Sequence, residues 1–372
     1  MSAAGNVSAQ AASVASNGTL GAGIDANGQA TLAGSLSVTA SGKVVATGRN
    51  VARGDLIVTG GALDLSGSRT DATGGLTLLS QAGDVDIQRA IVSAATALKI
   101  TSAQHLLNAI GNLSADTITL AAIGRIDNRD AQSVATSRLD VTGTDIDNAR
   151  GLLQSGGKLK IKGTSLDNSA GRVVSLAGDD SSIEVDGELR NGGGTTANGN
   201  TGGVIGGNGD LRIHADSVVN SAQIVAGKAL SLTGRQLDNT GGTVSGERID
   251  ATLSGALINR QGTVSAATST LQVGSLNNKD GLVEADTLSL TATGNVSNAG
   301  GQIKQYGQTG QTIKVGGIFD NTAGNVVSNA GNLTLDVVDL TNDGGKVRLR
   351  HWRKGGERYR QSCEPLVQSR MG

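Results

Sequence analysis

The sequence predicts an all-β fold, a right-handed parallel β-helix of about 15 coils with a repeat near 20 residues. Three observations lead there. The core-forming residues are aliphatic, with almost no rings and almost no proline. Apolar-x-apolar pairs recur every 21 residues or so along most of the chain. An asparagine-centred turn motif recurs in step with those pairs.

The 372 residues include 57 glycines and one proline, and the only rings besides histidine are Tyr306, Phe319, Trp352 and Tyr359. A globular core of ordinary build relies on aromatic side chains, each of which buries a large area. Here only Leu, Ile, Val and Ala are available in number, which excludes a large single-core enzyme but not an ordered protein. Disordered chains are usually rich in proline and charge, whereas this one is 17% charged and nearly proline-free. Many of its apolar residues are β-branched, which suits strands. Collagen is excluded, because glycine does not recur at every third position.

The 31 basic and 32 acidic residues are unevenly placed. Residues 346–372 hold eight basic and two acidic ones, together with the single cysteine, Cys363, and the single proline, Pro365. A cysteine-free body has no disulfides or thiolate metal sites and suits a chain exported unfolded. No apolar run reaches the roughly 18 residues of a membrane-spanning helix. The first residues lack the charged and apolar regions of a signal peptide, so any export signal is expected outside this chain.

The repeat is carried by Asn108, Asn128, Asn148, Asn168, Asn191, Asn220, Asn239, Asn259, Asn278, Asn298, Asn321 and Asn342, each with an apolar residue two positions earlier. Three positions later the residue is glycine except at Ala131 and Gln223; five positions later it is apolar except at Ser133 and Thr196. Between these asparagines fall the apolar pairs, from Leu36/Val38 to Leu333/Leu335. The unit therefore reads strand, turn, strand. Period-2 alternation marks a strand with one buried face. Asn with Gly three residues on marks a turn, because both tolerate left-handed backbone angles. A repeat of about 20 residues is too short for a helix pair and fits one coil of a parallel β-helix. A leucine-rich repeat has a similar period but requires more leucines per unit.

In such a solenoid, equivalent aliphatic residues stack inside and leave little room for rings. Proline is excluded because inner coils need their N–H groups for pairing. Stacked asparagines are placed to form a hydrogen-bonded ladder. Residues 1–35 form an Ala/Ser/Gly-rich segment in which Leu20–Ile24 marks one worn coil; 36–345 are the repeat; 346–372 are a basic tail. The glycine-rich stretch 192–209 is expected to leave the coil as a flexible loop. Periodicity, glycine content and residue usage change together after Gly345, as a shifted reading frame or truncated gene would leave them.

The motif as it stands in Leu166-Asp-Asn-Ser-Ala-Gly-Arg-Val173 and Leu237-Asp-Asn-Thr-Gly-Gly-Thr-Val244 resembles the haemagglutinin repeats of filamentous haemagglutinins. These are the large two-partner-secretion exoproteins of Gram-negative bacteria, and they include adhesins and contact-dependent growth-inhibition proteins. The resemblance spans about residues 36–345. It implies the shaft of a secreted or surface-exposed adhesin, extracellular in its full-length context, with a host-cell or bacterial surface receptor and a cognate outer-membrane transporter as partners. Without a secretion domain or a recognisable tip, the chain is expected to be a fragment of such a protein. The alternative is the stalk of a contact-dependent growth-inhibition toxin-delivery protein; a remoter one is a polysaccharide-degrading β-helix enzyme.

Residues with chemistry are sparse. His105, His214 and His351 are scattered, so no metal site converges, and neither cofactor nor catalytic residues are expected. Carboxylates that precede the repeat asparagine, such as Asp238 and Asp320, recur with the period and are expected to serve structure. The glycine-rich stretch lacks the phosphate-loop pattern. The basic tail is not expected to bind nucleic acid. One tripeptide remains, Arg53-Gly54-Asp55, a possible cell-attachment signal when displayed on a turn, placed just before the strand at Leu56.

Overall fold

The computed structural model describes residues 1–25, 27–29, 31, 33–178 and 180–349. The described residues contain no helix, and the chain winds as a parallel β-solenoid of about 17 turns. That is slightly more than the periodicity alone predicts, because both flanks contribute. Val7–Ala11, Val14–Ser16 and Thr19–Ala22 pair in parallel with Leu36–Ala40, Lys43–Ala46 and Arg49–Ala52, so residues 1–22 supply a whole coil. Lys346–Leu349 pair with Asn325–Ser328, so pairing continues beyond Gly345. The remainder of the tail, with His351, Trp352, Cys363 and Pro365, lies outside the described residues.

The chain divides into two units, Met1–Asp186 with Gly194–Gly203, and Gly187–Gly193 with Val204–Gly372. In the first, each coil has three strand positions rather than the two expected. Leu56, Leu76 and Leu98 stack in the first position; Leu63, Val85 and Leu106 in the second; Thr70, Val92 and Leu113 in the third, beyond the asparagine turn. Alternation places one face of each strand inside, and Leu56, Leu63, Leu78, Val92 and Leu113 are all fully buried. In the second unit the corners straighten. Gln223–Asp238, Thr243–Ile258 and Thr263–Asn277 each run through all three positions, with the register slipping at corners. A ring does fit inside: Phe319 is fully buried in the column of Val296 and Leu340.

The turn differs from its sequence-based expectation in a way that explains the motif. Neither the asparagine nor the glycine is left-handed. The positive φ falls between them, two residues after the asparagine, at Ile110, Asp130, Arg150 and Ala170 in the first unit and at Gly241, Gln261, Asp280, Gly300, Ala323 and Gly344 in the second. The amide of the following residue bonds back to the asparagine carbonyl, as in Gly151 N–H to Asn148 O at 3.0 Å and Gly301 N–H to Asn298 O at 3.0 Å. Positive φ at the third residue alone is the type II pattern. The glycine answers a different need. A Cβ on Gly151 would collide with the Asn128 carbonyl of the preceding coil and come within 2.6 Å of Asn148 Oδ1.

The two apparent exceptions have separate causes. At Gln223 the turn is one residue shorter: Gln223 pairs with Thr243, so Ala222 occupies the place of Gly242. Ala131 keeps the turn, its N–H bonding to Asn128 O at 3.3 Å as Gly262 N–H does to Asn259 O.

Two substitutions separate these roles. Ile110, exposed and β-branched at φ 61°, is strained, so Ile110→Gly is expected to stabilise the protein by about 1 kcal/mol. Gly151→Ala is expected to destabilise it by about 2 kcal/mol or more, because a backbone carbonyl must move. Urea unfolding followed by circular dichroism measures both, and the reverse order would refute this account of the turn.

Candidate functional site

The asparagines form a continuous side-chain ladder within each unit. In the first, Asn108 Nδ2 donates to Asn128 Oδ1 at 2.8 Å, Asn128 to Asn148 at 2.7 Å and Asn148 to Asn168 at 2.8 Å. In the second the same bond, at 2.7–2.8 Å, links Asn191, Asn220, Asn239, Asn259, Asn278, Asn298, Asn321 and Asn342 in turn. The second amide proton reaches a backbone carbonyl, as from Asn259 Nδ2 to Leu282 O at 3.0 Å. All except the last, Asn342, are buried. A buried amide without partners is costly, but here each coil supplies the donor or acceptor its neighbour lacks.

The first ladder has a visible end. Asn108 Oδ1 is buried with no partner, because the equivalent places in the preceding coils belong to Leu65 and Ile87, two residues after the paired Leu63 and Val85. One coil further on, Asn128 Oδ1 has a second donor, Ser133 Oγ at 3.0 Å. Ser133, one of the two exceptions among the apolar positions, sits in the coil that also carries Ala131.

The carboxylates before the asparagines cap the turns. Asp147, Asp167, Asp238 and Asp320 each accept from the backbone N–H two residues on, at 2.8–3.1 Å, the Asx-turn geometry. Asp127 does the same for Arg129 N–H and also meets the Arg129 side chain at 2.6 Å. Burial opposes its ionisation, yet the hydrogen bonds from Arg129 and the nearby Arg125 charge hold its carboxyl below the usual value. Two histidines serve neighbouring coils separately: His105 Nδ1 accepts from Arg125 N–H at 3.0 Å, while His214 Nδ1 pairs with the Thr233 hydroxyl at 3.0 Å.

Arg53, Gly54 and Asp55 lie at a corner between the strands Arg49–Ala52 and Leu56–Gly60, with Arg53 and Asp55 exposed. Asp55 also ties one coil to the next, since its Oδ1 accepts from Gly75 N–H at 2.8 Å. Asn6, Asp84, Asp210 and Asn295 bond in the same way to the following coil at their own corners.

The glycine-rich insertion is the feature that composition left unresolved. Instead of a flexible loop, Gly194–Thr195 and Thr201–Gly202 pair as an antiparallel hairpin, held to the first unit by Ala197 N–H to Arg150 O at 3.0 Å and Arg172 Nη1 to Thr201 O at 2.8 Å. A cleft of about 430 Å³ opens beneath it, lined by Asp130, Arg150, Leu152, Gln154 and Arg172 of the coil and by residues 196–198, 200 and 201 of the hairpin. Arg150 Nε lies 2.8 Å from Asp130 Oδ1, close in charge though not aligned as a hydrogen bond. Among the described residues no carboxylate pairs with Arg172. The signals of this docking in the sequence are Gly202, where a Cβ would overlap the Ala170 carbonyl, and Gly194, where it would press on the Ala170 side chain. Glycine composition alone does not distinguish that close approach from slack.

Comparison with known proteins agrees with the fold. A family model described as haemagglutinin repeat matches residues 114–193, 204–300 and 307–349, more than half of the chain. The match, like the strand pairing, carries the repeat past residue 345 to 349. Among curated proteins the chain is similar to the tRNA nuclease CdiA-2 of Burkholderia pseudomallei (strain 1026b), 34% identical over 252 residues, which is 62% of this chain and 8% of the relative. No solved structure matches.

Two outcomes follow from the ladder and its caps. Asn108→Leu removes the orphaned oxygen and leaves Asn128 Oδ1 with Ser133, so it is expected to be nearly neutral. Asn148→Leu strands a donor and an acceptor and is expected to cost about 2–4 kcal/mol. Equal losses in urea unfolding would contradict the end effect. For Asp127, with a depressed native pKa, the stabilisation is present above the unfolded value near 3.8 and is lost as pH falls through the native one. Asp127→Asn is therefore expected to flatten the acid limb of stability against pH, and an unchanged limb would remove that assignment.

Proposed function

Because the chain belongs to the haemagglutinin-repeat family, we propose that it is a shaft segment of a secreted or surface-exposed bacterial protein and that the full-length protein is an adhesin. The observation that carries this reading is the pair of asparagine ladders. From Asn108 onward each coil completes its polar core through its neighbours, so the chain is organised for mechanical continuity. Coil-by-coil folding also suits a chain passed outward unfolded by an outer-membrane transporter, the partner that the resemblance implies. A surface receptor would be engaged elsewhere in the full-length protein. The reading assigns no catalysis to this chain, and the commitment of Asp238 and Asp320 to turn capping supports it.

A second reading makes the chain the stalk of a contact-dependent growth-inhibition protein. It is favoured by the similarity to the tRNA nuclease CdiA-2. The chain spans only 8% of that protein's length, so nuclease activity is not ascribed to any residue here.

One experiment addresses the shaft and both readings. In the full-length parent, deletion of residues 239–258 removes one whole coil, since Asn239 and Asn259 are 20 residues apart and bonded. Antibody labelling of intact cells is expected to persist. Deletion of residues 239–248 breaks the register and is expected to abolish it. Under the adhesin reading, host-cell attachment falls with labelling; under the second, inhibition of neighbouring bacteria falls instead. Labelling that survives the half-coil deletion would overturn the shaft.

A further inference from the structure

The hairpin at residues 194–203 interrupts a repeat that runs on without it, yet it is docked by specific contacts over a half-open cleft. We propose that this cleft is a binding site for a saccharide carrying one carboxylate. The proposal is independent of whether the chain serves an adhesin or a toxin stalk.

The volume of about 430 Å³ lies within the roughly 300–1,000 Å³ of small-ligand pockets, with room for one or two sugar rings. The lining is polar, unlike that of a pocket for an apolar ligand. Gln154, Asn198 and Asn200 each present both a donor and an acceptor in one planar group, which matches ring hydroxyls that both donate and accept. The charge points to a single anionic group. Asp130 offsets Arg150, so Arg172 supplies the net positive charge. The bond from Arg172 Nη1 to Thr201 O steadies the guanidinium against the hairpin, and the rest of its fork remains for a ligand. A planar carboxylate takes such a fork through two parallel hydrogen bonds. A polyanion would need further unpaired cations, and the lining provides none.

Titration calorimetry on the full chain tests this with glucuronic acid, N-acetylneuraminic acid, glucose 6-sulfate and glucose. At least one of the two carboxylated sugars is expected to bind about tenfold or more tighter than glucose. Arg172→Gln is expected to weaken that binding about tenfold. Gly202→Val, whose side chain cannot fit against the Ala170 carbonyl, undocks the hairpin and is expected to abolish binding while the strand spectrum persists. Four results would each overturn the proposal: no binding of either carboxylated sugar, equal binding of glucose, tighter binding of glucose 6-sulfate than of both, or carboxylated-sugar binding that survives both substitutions.

Discussion

A side-chain amide inside a protein is tolerated only when its donors and acceptor are matched. In this chain the match for each buried asparagine is the asparagine of the adjacent coil. These amides stack at 2.7–2.8 Å on a turn that the coils also make without asparagine, at Gly67 after Leu65 and Arg89 after Ile87. In ten of the twelve asparagine turns the second residue on takes positive φ whatever its side chain, even at Ile110 and Gln261. The residue after that passes close to the carbonyl of the preceding coil, where a Cβ on Gly171, Gly262 or Gly281 would collide. The aspartate before the asparagine then satisfies an amide that the bend leaves free. Turn and ladder together account for several positions of the motif.

The same constraint explains where variation is accepted. Asn191 and Asn220 are 29 residues apart, yet their amides bond at 2.8 Å, as do those of coils 20 residues apart. An excursion that begins and ends at the surface leaves the ladder intact, and so the chain can carry an added hairpin without loss of register. The interior is less permissive. Where the ladder stops at Asn108, Ile87 and Leu65 take its place, and the cost is one unpaired buried oxygen.

Much of the fold was legible because a solenoid repeats its local physics. Alternating pairs such as Leu76/Leu78 declare a buried face, and the spacing of the asparagines declares the coil. The third strand position was hidden because strands such as Arg69–Ala72 bury only small side chains, here Thr70 and Ala72, and so lack the large aliphatic pair that marks a strand in the sequence. The part Asp55 plays in joining coils was equally hidden. Its tripeptide reads as a local signal, while its carboxylate is engaged by Gly75, twenty residues away.

By itself, then, the sequence determined the class of fold, the period, the core and the asparagine column, because each depends on a pattern that recurs along the chain. Only the tertiary structure decided which turn residue is left-handed, why glycine follows it, and that residues 194–203 close over Arg150 and Arg172. Those outcomes depend on the distance between one coil and the next, and a close approach of backbone to backbone leaves no mark in the sequence beyond a glycine.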